Sequence, residues 1–255
     1  MYSRLRMKKI TLAIPEYNTS QYFKDCIKYA VEDNFVDEIV VNDDKSTDQH
    51  LDNLISIIRE INLPKIKLFV NSQNTGAFRN KYLAVKNSTN DWVYLLDSDN
   101  HPFEESYHII KNISDDDPSI CYSPQNLFCK NDNVSDYENI SNYDFGYDLI
   151  GIEESKKSLC DGVEWFNWFV NTGNYIVNRN TYLETLKEPF EDFSTPLLHA
   201  DTASVFYYWL KNGNKFKIVQ GLRHNHRLRP DSNWHSCGDN SNISVNYYET
   251  AIKNL

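Results

Sequence analysis

Apolar residues along this chain fall into short, nearly continuous runs separated by stretches of helical period. Ile10–Ile14, Glu38–Val41, Ile66–Val70 and Trp92–Leu96 are such runs. Continuous rather than alternating hydrophobicity marks strands covered on both faces, as in parallel sheets. Between the runs, the spacing predicts a helix over Ser20–Asn34, with Phe23, Ile27 and Ala30/Val31 on one face. A second helix is predicted over Leu51–Ile61, with Leu51, Leu54, Ile55 and Ile58 inward, and a third over Gly76–Asn87. Strands alternating with helices imply parallel β–α–β units. After residue 100 the pattern loosens. Phe103–Ile113, Asn180–Leu186 and Asp201–Leu210 read as helices, and Tyr175–Asn178 and Phe216–Val219 as strands. Asp115–Ser158 is polar, acidic and rich in Tyr and Asn, and reads as long surface loops. With no internal repeat and no low-complexity linker, residues 1–255 read as a single α/β domain of two abutting halves, 9–100 and 101–255. The expected architecture is a Rossmann-like, mixed but mostly parallel sheet flanked by helices.

Charge and cysteine usage narrow the function classes. The net charge of −10 argues against nucleic acid as a partner and gives no attraction to anionic lipid. The five cysteines include no Cys-x-x-Cys pair, so reduced thiols in a cytoplasmic protein are expected rather than a disulfide framework or zinc ribbon. Met1–Lys9 holds no apolar leader core, and no run approaches the roughly 18 apolar residues of a membrane span. Action on an acceptor at the cytoplasmic face of a membrane then requires peripheral association.

The candidate chemistry sits where the strands end. Trp92–Leu96 runs into Asp97-Ser98-Asp99, two carboxylates one residue apart. Open α/β sheets bind ligands at the C-terminal edge of their strands. Paired oxygen ligands there suit Mg²⁺ or Mn²⁺, held by few protein groups and completed by substrate phosphates. Three further segments fall on the same edge: Pro15-Glu16-Tyr17-Asn18, Asn42-Asp43-Asp44-Lys45-Ser46-Thr47-Asp48, and Asn74-Thr75-Gly76-Ala77-Phe78-Arg79-Asn80. Ser46 or Asp48 also reads as a helix cap. Lys45 stands at a turn position and offers no glycine-based case for a positive φ.

The order and spacing of these four segments resemble the family 2 glycosyltransferases of the GT-A fold. The resemblance covers residues 9–100 well and the remainder patchily. It implies an inverting, metal-dependent transfer of a sugar from a UDP-sugar to a hydroxyl of a carbohydrate or lipid-linked acceptor. Pro15, Tyr17, Asn18 and Ser98 would border the nucleotide sugar, with Tyr17 stacked on the base. Asp44 would accept the uracil imide N–H, and Arg79 would pair with base, ribose or phosphate. Asp97 would meet the ribose or a metal-bound water, and Asp99 would ligate Mn²⁺ or Mg²⁺. Lys45 replaces the family's usual Gly, and Phe78 a commoner small residue.

In the second half, Gly173 of Asn171-Thr172-Gly173-Asn174-Tyr175 would let the backbone approach the donor sugar. Asp201 falls where the family places its general base, with Ala200 at the position of a first acidic residue. The basic stretch Arg223–Ser232 would fold over the diphosphate, Arg227 and Arg229 meeting phosphate and His226 or His224 the metal. Trp234 and Tyr175 are candidates for stacking on an acceptor sugar, whereas Trp165 and Trp168 read as core. A sugar-nucleotide nucleotidyltransferase would want a glycine-rich phosphate loop where Pro15–Asn18 stands, and no Gly-x-Gly-x-x-Gly marks a dinucleotide site. A non-catalytic nucleotide-sugar- or glycan-binding relative is the other alternative.

Overall fold

Four of the apolar runs form the parallel half of one eight-stranded sheet. They are β1 (Ile10–Glu16), β2 (Val36–Asp43), β3 (Ile66–Val70) and β4 (Trp92–Leu95). The computed structural model describes residues 9–113, 117–131, 138–142, 149–160, 174–187, 189, 201–229 and 239–255. Helices α1 (Phe23–Ile27), α2 (Asp48–Ile61), α3 (Ala77–Asn87) and α4 (Glu104–Lys111) connect and follow these strands. The second half adds β5 (Ile120–Asn131), β6 (Glu138–Asn142), α5 (Ile152–Cys160), β7 (Tyr175–Asn178), α6 (Arg179–Thr185), α7 (Asp201–Lys211), β8 (Lys215–Leu228) and α8 (Asp239–Lys253). The strand order is β3-β2-β1-β4-β7-β5-β6, with β8 along β5. Pairing is parallel among β1–β4 and between β5 and β8, and antiparallel at β4–β7, β5–β7 and β5–β6.

Alternate residues of the central strand feed two cores, so the sheet is the middle of three layers. Leu12 and Ile14 pack with Phe23, Leu54, Ile57 and Tyr107. Ala13 faces the other way, with Phe78, Ala84, Val85, Tyr182 and Phe206. Phe206 stacks on Phe216 with ring centroids 4.4 Å apart, which seats α7 against β8.

Three expectations change. The first helix is only a 3₁₀ turn (Ser20–Tyr22) followed by α1. The Lys65 ammonium donates to the carbonyls of Ala30, Asp33 and Val36 at 2.7–3.1 Å, an arrangement a continuous helix does not offer. Residues 115–158, expected as loops, contain β5, β6 and most of α5. Their ladders join residues far apart in sequence, so packing and pairing override a polar composition. The last strand is longer than Phe216–Val219: it pairs with β5 up to Asn131↔Leu228, and Arg223–Leu228 are strand residues rather than a loop.

One buried carboxylate ties the N-terminal ends of the parallel strands together. Glu38 of β2 accepts hydrogen bonds from Thr11 of β1 (2.5 Å), Lys67 of β3 (2.6 Å) and both the amide (2.7 Å) and hydroxyl (3.0 Å) of Thr89 before β4. Burial pushes its pKa up, but these donors outweigh burial and hold it below the ordinary 4.5. A depressed folded pKa stabilises fully above the ordinary value and is lost as pH falls through the folded one. Glu38→Gln is therefore expected to cost about 1–3 kcal/mol near neutrality. In urea unfolding the gap to the wild type narrows as the pH is lowered below 4.5. An equal gap at both pH values contradicts this assignment.

Candidate active site

At the opposite, C-terminal edge, short polar contacts weld the strand ends into one wall. Asn18 sits at φ 55°, a left-handed conformation that Asn tolerates better than most residues. There its amide donates to Ser46 Oγ (2.9 Å) and its Oδ1 accepts the Thr47 amide (2.9 Å). Asp43 Oδ1 accepts the Ser46 amide at 3.0 Å. Thr47 is the N-cap of α2 and makes no side-chain cap bond, so neither Ser46 nor Asp48 caps this helix. Lys45 adopts φ 63°, so the turn does demand the left-handed region although no glycine occupies it.

Asp44 is the centre of this wall. Its Oδ1 accepts from Asn71 Nδ2 (2.8 Å), the Thr75 amide (2.8 Å) and Thr75 Oγ1 (2.7 Å), and its Oδ2 from the Gly76 amide (2.8 Å). Gly76 precedes α3 at φ 84°, ψ 158°, a conformation essentially reserved for glycine. Behind it, Asn80 accepts from Asn42 Nδ2 (2.7 Å) and donates to the carbonyls of Glu16 (3.2 Å) and Asn42 (3.0 Å). This amide bridge fixes α3 to the ends of β1 and β2.

The facing wall follows β4. Lys81 Nζ lies 3.0 Å from Asp97 Oδ1 and 2.5 Å from Asp201 Oδ2, with its side chain only 5% exposed. Burial pulls the ammonium's pKa down, but the two carboxylates more than offset that and leave it above its ordinary value. Asp97 is pushed up to about 6, by burial first and then by Asp201 and Asp99, against the lowering effect of Lys81. One ammonium thus serves more than one acid. Asp99 Oδ2 accepts from Arg229 Nε at 2.8 Å. Ser98 Oγ meets Thr19 Oγ1 at 2.5 Å, and Thr19 donates its amide and hydroxyl to buried Glu16 at 2.6 and 2.7 Å. Burial holds the Glu16 carboxyl above its usual range despite those bonds.

These walls enclose a cavity of about 770 Å³. Pro15, Tyr17, Asn18, Asp44, Asp97, Ser98, Asp99, Asp201, His226 and Arg229 all line it, and so do Glu16, Asn80 and Lys81. Tyr17 keeps its ring open to it, 44% exposed. Other expected residues lie elsewhere. Arg79 is exposed and does not line the cavity, because the helical period turns Asn80 and Lys81 inward instead. Arg227 works from behind: its Nε donates to the Asp99 carbonyl (3.0 Å) and its guanidinium lies 4.2 Å from the Tyr22 ring centroid. His224 is buried against Asn174, which in turn accepts the Asp97 amide at 3.3 Å. Burial lowers the His224 pKa, and it does not line the cavity, whereas His226 does. Tyr175 is 2% exposed and packs in the core with its ring 6.4 Å from Tyr182, so it presents no face to an acceptor. Gly173, Trp165, Trp168 and Trp234 lie outside the described residues.

Lys81 and Asn80 are the cavity-lining residues that motif reading assigned no role. Their signal was positional: Lys81 falls on the apolar face of α3 with Phe78, Ala84 and Val85. For a cation, Asp97 Oδ1 is occupied by Lys81 and Asp99 Oδ2 by Arg229, which leaves one oxygen of each carboxylate. Among the described residues no three His, Cys, Asp or Glu side chains converge on one point. Two carboxylate oxygens completed by ligand phosphates still fit Mg²⁺ or Mn²⁺.

Asp44→Ala removes an acceptor shared by four donors and is expected to lower the melting temperature and the hydrogen-exchange protection of the Thr75 and Gly76 amides. Unchanged protection at both amides contradicts a clamp at Asp44.

Residues 11–187 match the sequence profile of Glycosyl transferase family 2. Over 103 residues, 39% of this chain, it is 31% identical to the poly(ribitol-phosphate) beta-N-acetylglucosaminyltransferase TarS of Staphylococcus aureus, and the match spans 18% of that protein. It is 22% identical to chondroitin synthase of Escherichia coli over 231 residues, 84% of this chain and 32% of that protein. The chain therefore corresponds to a fraction of these relatives. Among solved structures, S. aureus TarS 1–349 in complex with UDP-GlcNAc superposes with a TM-score of 0.63 at 17% identity, covering 97% of this chain and 67% of that one. GalNAc-T7 with UDP, GalNAc and Mn²⁺ gives 0.60 at 17% identity, covering 88% and 44%. These likenesses establish the expected GT-A fold. With the profile spanning all four motif loops and continuing through β7 and α6, the chain belongs to glycosyl transferase family 2.

Proposed function

We propose that this chain is a glycosyltransferase that moves a sugar from a UDP-sugar to a hydroxyl acceptor with inversion at the anomeric carbon. The observation that carries the reading is the gathering of Tyr17, Asp44, Asp97, Asp99 and Asp201 around one cavity. Its volume lies within the ~300–1,000 Å³ typical of ligand pockets. The solved TarS complex holds UDP-GlcNAc, which supports the same donor class here. Asp44 Oδ2 accepts a single protein hydrogen bond and keeps capacity for the imide N–H of uracil. Tyr17 offers its ring to the base, and Asp97 its second oxygen to the ribose. Arg229 and His226 stand where the diphosphate enters. A divalent cation at Asp99, when bound, neutralises charge on the departing diphosphate.

Asp201 takes the proton of the acceptor hydroxyl as that oxygen bonds to the anomeric carbon. The carbon–oxygen bond to the diphosphate breaks, and its electron pair leaves with UDP. Positioning and electrostatic stabilisation supply most of the acceleration. We take the acceptor to be a carbohydrate, polymeric or lipid-linked hydroxyl. Among the described residues no helix is long and apolar enough to cross a membrane. Cys26, Cys121, Cys129 and Cys160 are free thiols, which suits the cytoplasm.

Asp201→Asn is expected to bind UDP as the wild type does and to transfer sugar roughly 10²–10⁴-fold more slowly. Isothermal titration of UDP and a UDP-release assay with acceptor check this. A fully active variant shows that Asp201 serves only the first turn of α7.

A further inference from the structure

Lys81 has no counterpart in the roles just assigned, yet it is a buried ammonium in the cavity wall, its side chain 5% exposed. It reaches into the cavity from α3, contacts the end of β4 through Asp97, and contacts the start of α7 through Asp201. It is therefore the direct polar link between the carboxylate that ends the nucleotide-binding half and the carboxylate that begins the following helix. Asp201 itself has a side chain 23% exposed and stands at the end of a helix, a position from which a carboxylate swings unless it is held. The ammonium holds Oδ2 at 2.5 Å and so determines which oxygen remains toward the cavity.

We propose that Lys81 is a positioning residue for the transfer reaction: its ammonium fixes Asp201 with Oδ1 turned to the acceptor hydroxyl, and by holding Asp97 at the same time it sets the distance between the base and the donor. This inference rests on the proposed transferase reading. Lys81 gains and loses no proton; the acceptor proton goes to Asp201, and the electron pair of the broken bond goes to UDP. The single charge also separates two carboxylates that would otherwise repel across the cavity. A substrate-binding role alone would aim Lys81 at the donor, whereas its ammonium is engaged by the carboxylates of Asp97 and Asp201.

The test compares wild type and Lys81→Met for kcat, donor KM, pH dependence of kcat, and melting temperature. Lys81→Met is expected to lose about 10²-fold in kcat, the loss that follows small misplacement of a reacting group. Donor KM should change by a much smaller factor. The acid limb of its kcat profile should move up by about one pH unit or more, because a carboxylate loses its neighbouring cation. Lys81→Arg keeps the charge and should leave that limb in place. A kcat loss that tracks the loss of folded protein, with the limb unmoved, overturns the proposal. If neither variant folds, a crystal structure of the wild type with UDP decides: Lys81 Nζ within 4 Å of Asp201 supports the bridge, and a larger separation overturns it. Failure of wild-type turnover with every UDP-sugar sinks the transferase reading. Normal turnover by Lys81→Met with a working wild type sinks only this inference.

Discussion

A buried ammonium surrounded by too many carboxylates governs this structure. Glu16, Asp44, Asp97, Asp99 and Asp201 all line the cavity, in a chain whose net charge is already −10. Charges so close, partly removed from water, repel strongly unless cations lie among them. Lys81 and Arg229 are those cations, one shared by Asp97 and Asp201 and the other bound to Asp99. The arrangement leaves the cavity acidic but ordered. An anionic ligand enters such a site only with a further cation or by displacing one of these contacts.

The two edges of the parallel sheet carry different tasks. At the N-terminal edge Glu38 ties β1, β2, β3 and the turn before β4, and touches nothing in the cavity. At the C-terminal edge Asp44 ties the loop before α3, Asn80 ties α3 to the ends of β1 and β2, and the same side chains line the cavity. Glu38 binds the strands together without entering the site, while the site borrows its rigidity from carboxylates and amides that also line its cavity. That sharing makes Asp44 both a clamp and a candidate contact.

What the sequence disclosed follows from distance along the chain. The parallel strands, their order of appearance and the loops that end them are local features, written in apolar runs followed by polar turns. Tyr17, Asn18, Asp44, Asp97 and Asp99 were legible as cavity-lining positions for that reason, whereas Asp201 was reached through the family resemblance. Lys81 was not legible, because its meaning depends on two partners at residues 97 and 201. Arg79 was selected by motif, yet the helical period turns it outward and its neighbours inward. The ladder between β5 and β8 was hidden in a polar segment, since its stability comes from pairing with a strand nearly a hundred residues away. Lys45 shows the reverse case: a side chain unlike the expected glycine occupies the same left-handed turn, held there by the Asn18, Asp43 and Ser46 contacts around it.

The central claim is that this acidic, cation-bridged cavity turns over a UDP-sugar. The most direct test is UDP release by the purified chain from a panel of UDP-sugars, with Mn²⁺ and with EDTA, in the absence of acceptor. The account predicts slow release from one sugar nucleotide, dependent on the divalent ion. No release from any of them, together with no thermal shift on adding UDP and Mn²⁺, contradicts it.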